Sequence, residues 1–184
     1  MKLALIVITA LLLSACSSYV SLPTYGVVPD FVLTDQFGRE FKSKERLNGK
    51  VWVANFIFTN CPGPCPRMSR QMRDVKDASK AHDVRLVSFT IDPARDTPPV
   101  LAAYGKRFGA DPDRWYFLTG SQQDLHALCR HAFMLGNVDG SLEHSTRFVL
   151  VDRNSRIRGY YDSSDRESLR TLIGDLGKLA RSSA

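Results

Sequence analysis

Cysteine is scarce in this chain: four occur among 184 residues, too few for the evenly paired framework that staples small secreted domains. Histidine is equally scarce, at four, so imidazole ligands have few places to be. Lys and Arg outnumber Asp and Glu by 25 to 19, yet Arg39, Arg67, Arg85, Arg107 and Arg156 are scattered and no run of five basic residues occurs. Without such a run, no nucleic-acid face is expected. No apolar stretch reaches the roughly twenty residues that a spanning helix needs, and there is no internal repeat. A composition of 43% hydrophobic and 24% charged residues is that of an ordinary globular chain, neither disordered nor polytopic. The length suits one domain with a real core.

What the N-terminus does have is Met1-Lys2, the apolar run from Leu3 to Leu13, and then Ser14-Ala15-Cys16. A short positive start and an apolar core of this length fit an export signal better than a membrane span. Leu13-Ser14-Ala15-Cys16 resembles the bacterial lipoprotein signal, which implies lipidation of Cys16 as the first mature residue. Residues 1–15 are thus read as a lipoprotein signal peptide. Residues 16–28 are read as a membrane tether, because Ser17, Ser18, Ser21, Pro23 and Gly26 leave Tyr19 to Val28 with little apolar periodicity. The folded domain is expected over residues 29–184. The protein is then exported and lipid-anchored to a bacterial membrane, with the domain on the extracytoplasmic side, since each buried acyl CH₂ contributes about 0.8 kcal/mol of membrane binding.

With Cys16 set aside as an anchor, Cys61, Cys65 and Cys129 remain. One close pair and a lone thiol in an oxidising compartment point to chemistry at the pair. The pair lies in Cys61-Pro62-Gly63-Pro64-Cys65-Pro66, between an apolar run from Val51 to Thr59 and a helical pattern from about Arg67. The positive end of the helix dipole and the free N–H groups there favour thiolate over thiol. The three prolines stiffen the loop, and Pro66 suits the first helical position. Three residues separate the cysteines, one more than in a CxxC redox motif. Such a spacing admits a structural disulfide, a redox pair or one bound metal ion.

Along the domain, Phe31–Asp35 and Glu40-Phe41 read as a hairpin turning at Gly38. Val51–Thr59 reads as a strand buried on both faces, and the Arg67–Lys80 pattern as a helix burying Met68, Met72 and Val75. That spacing makes the two methionines a core stripe rather than thioether ligands. Arg85–Asp92 reads as a strand and Pro98–Phe108 as a helix capped by Asp96 or Thr97. Trp115–Thr119 is a further strand, and Ser121 caps a helix running to about Phe133. After the ambiguous stretch from Met134 to Ser145 come the strand Arg147–Asp152, the strand Ile157–Tyr161 and a last helix capped by Ser164 or Asp165. This order predicts an α/β fold: a thioredoxin-like sandwich with a mixed central sheet flanked by helices and an N-terminal hairpin. Chemistry in such open sheets sits beyond the carboxyl ends of the strands, where the Cys61 loop lies.

Two thiolates suffice for Cu(I) in a near-linear geometry, whereas Cu(II) or zinc needs further donors. His82 falls in a helix-to-strand link. His126 and His131 are five apart on a helix and so point in different directions. His144 differs, because it directly precedes the Arg147–Asp152 strand, whose preceding loop approaches the cysteine loop in a thioredoxin-like topology. Imidazole with two thiolates is a donor set suited to copper. Cys129 reads as a buried small hydrophobe, and Asp92 either approaches the site from a neighbouring strand end or caps the turn at Pro93.

Several segments together resemble the Sco/SenC family of copper-binding assembly proteins. They are Asn55-Phe-Ile-Phe-Thr-Asn-Cys-Pro-Gly-Pro-Cys-Pro66, Phe89-Thr-Ile-Asp-Pro-Ala-Arg-Asp-Thr-Pro98, Trp115 to Gly120, His144-Ser-Thr-Arg-Phe-Val-Leu-Val-Asp152 and Ile157-Arg-Gly-Tyr-Tyr161. The resemblance implies a thioredoxin-like metallochaperone binding one copper ion, Cu(I) or Cu(II), through Cys61, Cys65 and His144. It further implies assistance in assembling the dinuclear copper site of cytochrome c oxidase. The partners implied are the copper-site subunit of that oxidase, the membrane through the anchor, and a thioredoxin-like reductant or another copper carrier. Many members carry an acidic residue between the cysteines, where this chain has Gly63 and Pro64. The competing reading is an extracytoplasmic thiol-disulfide oxidoreductase using Cys61 and Cys65 as a redox pair without metal. Against it stand the wider spacing and the lack of proline at Ser145-Thr146, about where a thioredoxin places its cis-proline. If the protein is an enzyme, that reductase chemistry is its activity.

Overall fold

The computed structural model describes residues 22–135 and 145–182. In chain order the elements are β1 (Gly26–Val27), β2 (Val32–Asp35), β3 (Glu40–Lys42), α1 (Ser43–Arg46), β4 (Val51–Ile57), α2 (Cys65–Ala78), β5 (Val84–Thr90) and α3 (Pro98–Arg107). They continue with β6 (Trp115–Thr119), α4 (Gln122–Ala127), a π-helical turn (Leu128–Ala132), β7 (Arg147–Val151), β8 (Arg156–Asp162) and α5 (Arg166–Arg181). The strands form one sheet in the order β1-β8-β7-β4-β5-β6-β2-β3. β4, β5 and β6 run parallel to one another, and the strands outside them pair antiparallel. This is the mixed sheet flanked by helices expected from the sequence.

β4 is buried at all seven positions, and its alternation feeds both faces of the sheet. Val51, Val53 and Ile57 join Met68, Met72 and Leu101 on the face covered by α2, α3 and α5. Trp52, Ala54 and Phe56 join Leu125 and Phe133 on the face covered by α4 and the π-helical turn. Each buried Val, Ile, Leu, Phe or Met side chain among them contributes roughly 1.5–3 kcal/mol, so β4 is the spine of both half-cores. The β2–β3 hairpin turns at Gly38 with φ +76°, a left-handed value that glycine adopts without a Cβ clash.

Three expectations change. The described part of the segment read as a tether is bound to the domain: Gly26–Val27 is an edge strand on β8, and the Tyr25 ring meets that of Tyr160 edge-on at 5.3 Å. Arg158 ties the same segment down, donating to the carbonyls of Leu22 and Pro23 and pairing with Asp152 at 2.7 Å. Second, the first residue of α2 is Cys65 and not Pro66, so the second thiol belongs to the helix itself. Third, the helix capped by Ser121 is α-helical only to Ala127 before it widens into the π-helical turn. His144 lies in the stretch 136–144 and Cys16 among residues 1–21; both are outside the described residues.

Candidate metal centre

β4 ends at Ile57, and the chain turns through Phe58–Asn60 into the cysteine loop, where Cys61 N–H donates to the Phe58 carbonyl at 3.3 Å. Pro64 holds the N-cap position of α2, and its carbonyl accepts from Met68 N–H at 2.9 Å. Pro62 and Gly63 are exposed at the tip, whereas Cys61 is 6% and Cys65 2% exposed. The loop is open to solvent, but its sulfurs are sheltered beneath it. Both cysteines are free thiols, near enough for Cys61 to influence the Cys65 thiol.

The helix N-terminus was expected to favour thiolate, and in the dithiol form burial overrides it. Desolvation pushes the Cys65 thiol up to about 12, against the opposing pull of backbone groups at Phe58 and Cys65, with the Cys61 thiol adding to the rise. Cys65 is therefore a neutral thiol at neutral pH in a site whose ligand form is the anion.

The Phe89–Pro98 motif supports this loop from the neighbouring strand. The buried carboxylate of Asp96 accepts from Thr59 N–H at 3.1 Å, from Thr59 Oγ1 at 2.5 Å and from Thr90 Oγ1 at 2.6 Å. It thus joins the carboxyl ends of β4 and β5, which also share the Ile91 N–H bond to the Ile57 carbonyl. Of the two residues expected as candidate caps, Asp96 and Thr97, it is Thr97 that takes the N-cap position of α3, and the Asp96 side chain turns to the strands. Asp92 plays the turn role: its carboxylate pairs with Arg95 at 3.1 Å at the surface.

Sequence reasoning also missed Ser69 and Tyr104. Ser69 is one helical turn beyond Cys65 on the buried face of α2, and its Oγ lies 2.9 Å from the Tyr104 hydroxyl on α3. Burial raises the Tyr104 phenol to about 12, and both cysteines act on it electrostatically. The i, i+4 spacing from Cys65 could have flagged Ser69. Nothing local marks Tyr104, because its place depends on how α2 and α3 pack.

Among the described residues, no group of three or more His, Cys, Asp or Glu side chains is placed to hold a metal. Two of the three expected ligands are brought together, and the third, His144, is outside the described residues. β7 runs antiparallel beside β4, with Ala54 opposite Val149, so the start of β7 lies at the cysteine end of the sheet. His126 and His131 belong to the segment that covers the opposite face. His82 follows the far end of α2 from Cys65. Met68 and Met72 are core residues, fully buried with Val75. Cys129 is buried on the opposite face, where desolvation raises its thiol to about 11. The donor set at the loop, two thiols that become soft thiolates, fits copper.

Among the described residues no helix is long and apolar enough to cross a membrane. A sequence model of the SCO1/SenC family matches residues 21–181. A SCO1/SenC family lipoprotein from Bacillus anthracis is 34% identical, with a TM-score of 0.76 over 85% of this chain and 96% of that one. BsSco, a member of the Sco family of cytochrome c oxidase assembly proteins in which a disulfide switch has been identified, is 31% identical with a TM-score of 0.74 over 86% and 95%. Copper-bound ScoI from Bradyrhizobium japonicum is 25% identical, with a TM-score of 0.66 over 84% of this chain and 99% of that one. With the family match running through nearly the whole described fold, the chain belongs to the SCO1/SenC family.

Proposed function

We propose that this protein is a copper carrier that takes one copper ion on Cys61, Cys65 and His144 and assists assembly of the dinuclear copper site of cytochrome c oxidase. The observation that carries the reading is the pair of free, sheltered thiols at the strand-to-helix junction, in one buried cluster beneath an exposed loop tip. Support also comes from copper-bound ScoI and from the oxidase assembly role of the Sco family to which BsSco belongs.

Copper is the cargo. Loading with Cu(I) displaces the Cys65 S–H proton and leaves the ion on a dithiolate that two sulfurs alone can hold. Cu(II) requires the additional imidazole of His144. Release proceeds by ligand exchange, in which an incoming thiol from the oxidase's copper-site subunit displaces one sulfur at a time at the exposed tip. Lipidation at Cys16 holds the domain at the membrane surface on the extracytoplasmic side, within reach of a membrane-embedded target; the Bacillus anthracis relative is itself a lipoprotein.

The test is titration of the domain from residue 22 onward with Cu(I) and Cu(II). One equivalent bound with loss of both free thiols supports the reading; no uptake sinks it. A second reading, thiol-disulfide exchange at the same pair, is favoured by two free thiols close enough for one to influence the other. There Cys61 and Cys65 give up two protons and two electrons to a partner disulfide, forming their own S–S bond while the partner's breaks. Rapid reduction of an insulin-type disulfide by metal-free protein is its signature.

A further inference from the structure

The cysteine site holds a charge problem that its own ligands do not solve. Two thiolates on Cu(I) carry a net negative charge, and Cys65 is 2% exposed, so water does little to stabilise that charge. Asp96, packed against the base of the loop through Thr59, brings a further carboxylate and cannot help. A positive or donating group is needed on the protein side of the sulfurs.

Ser69 and Tyr104 supply the donor. Their oxygens are 2.9 Å apart in the core, with Ser69 0% and Tyr104 6% exposed. Two hydroxyls have two hydrogens, and the bond between them uses one. Among the described residues neither hydroxyl has another hydrogen-bond partner, so one hydrogen is left over in a place where an unused donor is costly. Ser69 stands at i+4 from Cys65 on the same buried face of α2, one turn from the sulfur. The Tyr104 ring is fixed by Phe108 at 4.7 Å and Phe117 at 6.0 Å between centroids, so its hydroxyl is held where it is. Cys61, Cys65, Leu101 and Tyr104 belong to one continuous cluster.

We infer that Ser69 and Tyr104 are positioning residues for the copper site: a two-hydroxyl relay whose spare hydrogen turns toward the sulfurs when they become anionic. A hydrogen bond to a charged acceptor is roughly twice as strong as one between neutral groups, and a neighbouring hydroxyl polarises the donor further. The relay therefore acts on the loaded, thiolate form and leaves the neutral dithiol almost untouched. This rests on the copper reading above.

The experiment compares Tyr104→Phe, Ser69→Ala, Ser69→Thr and the Y104F/S69A double variant with wild type, by competition titration of Cu(I) and by absorption of the Cu(II) form. Each single loss of a hydroxyl is expected to weaken Cu(I) binding about tenfold, the usual scale for a group that supports a metal ligand. The double variant should lose little more than the worse single one, and S69T should return close to wild type. The sulfur-to-Cu(II) charge-transfer band should move to longer wavelength in Y104F and S69A, because a thiolate without its hydrogen bond gives up an electron more easily. Cu(I) affinity within twofold of wild type and an unmoved band in both single variants overturn the relay. Should Y104F fail to fold, S69A decides alone by the same two readings. Wild-type protein that takes up no copper overturns the function proposed above and this inference with it; wild-type uptake with unmoved variants overturns only the relay.

Discussion

The Asp96 carboxylate and the Thr59 hydroxyl are 2.5 Å apart, and through that contact the strand that delivers Cys61 is fixed to the turn that starts α3. Thr90 completes the clamp from β5 at 2.6 Å. Asp96→Ala removes the acceptor for three donors in a site that is 1% exposed. The expected loss is about 2–4 kcal/mol of folding stability, read from urea unfolding of the metal-free protein. A loss under about 0.5 kcal/mol would show that Thr59 and Thr90 find other partners.

The raised Cys65 thiol gives the copper affinity a pH slope. From pH 6 to 9 this thiol is protonated in the metal-free protein, so binding displaces its proton, and Cu(I) affinity should rise about tenfold per pH unit for each proton released. A flat profile would mean that the sulfur already binds as thiolate. The same shift bears on stability. The folded-state value of about 12 lies above the ordinary thiol value of 9.0, so the stabilisation is complete below about pH 9 and is lost as pH rises toward 12. Metal-free protein should therefore unfold more readily in alkali, and Cys65→Ala should remove part of that dependence.

His144→Ala separates the two oxidation states of the cargo. Cu(I) affinity should change little, because two thiolates satisfy it, whereas Cu(II) affinity should fall by about tenfold or more with a changed absorption spectrum. Equal Cu(II) binding and an unchanged spectrum would remove His144 from the ligand set.

Cys129 serves as a silent control. Its thiol is 3% exposed, pushed up to about 11 by burial, and sits 3.6 Å from the Leu135 carbonyl. In native protein at pH 7.5 iodoacetamide should modify it at least about a hundredfold more slowly than in urea, and Cys129→Ala should leave copper stoichiometry at one. Fast native labelling would mean that the π-helical turn opens readily.

Arg158 holds the N-terminal segment through Asp152 and the backbone of Leu22 and Pro23. Arg158→Ala should cost about 1–3 kcal/mol and expose residues 22–28 to proteases while the rest of the domain resists. Unchanged cleavage would mean that β1 pairing and the Tyr25–Tyr160 contact suffice.

Much of the fold was legible because its signals are local. Val51–Ile57 is too apolar for anything but a doubly covered strand, and Ser121 and Asp165 accept from the backbone of their helices as their side-chain types lead one to expect. The cysteine pair was legible as a site from spacing and arithmetic. Its protonation was not, because the helix dipole is visible in sequence whereas the burial that outweighs it depends on packing across α2, α3 and α5. The sequence offered Asp96 and Thr97 alike as the cap of α3 and could not choose Thr97, because only the adjacency of β4 and β5 reveals Thr59 and Thr90 as the partners of Asp96. The bound segment before Pro29 was hidden by its composition, since a two-residue strand has no periodicity to read.

The sheet's outer rails are short. β1 has two residues at one margin and β3 has three at the other, so neither offers a run of backbone groups long enough to template an added strand from another protein. Among the described residues, neither margin of the sheet invites a partner to extend it. Under the copper-carrier proposal, a handover at the exposed Pro62–Gly63 tip would then be a small side-chain contact, easily broken once the ion has moved.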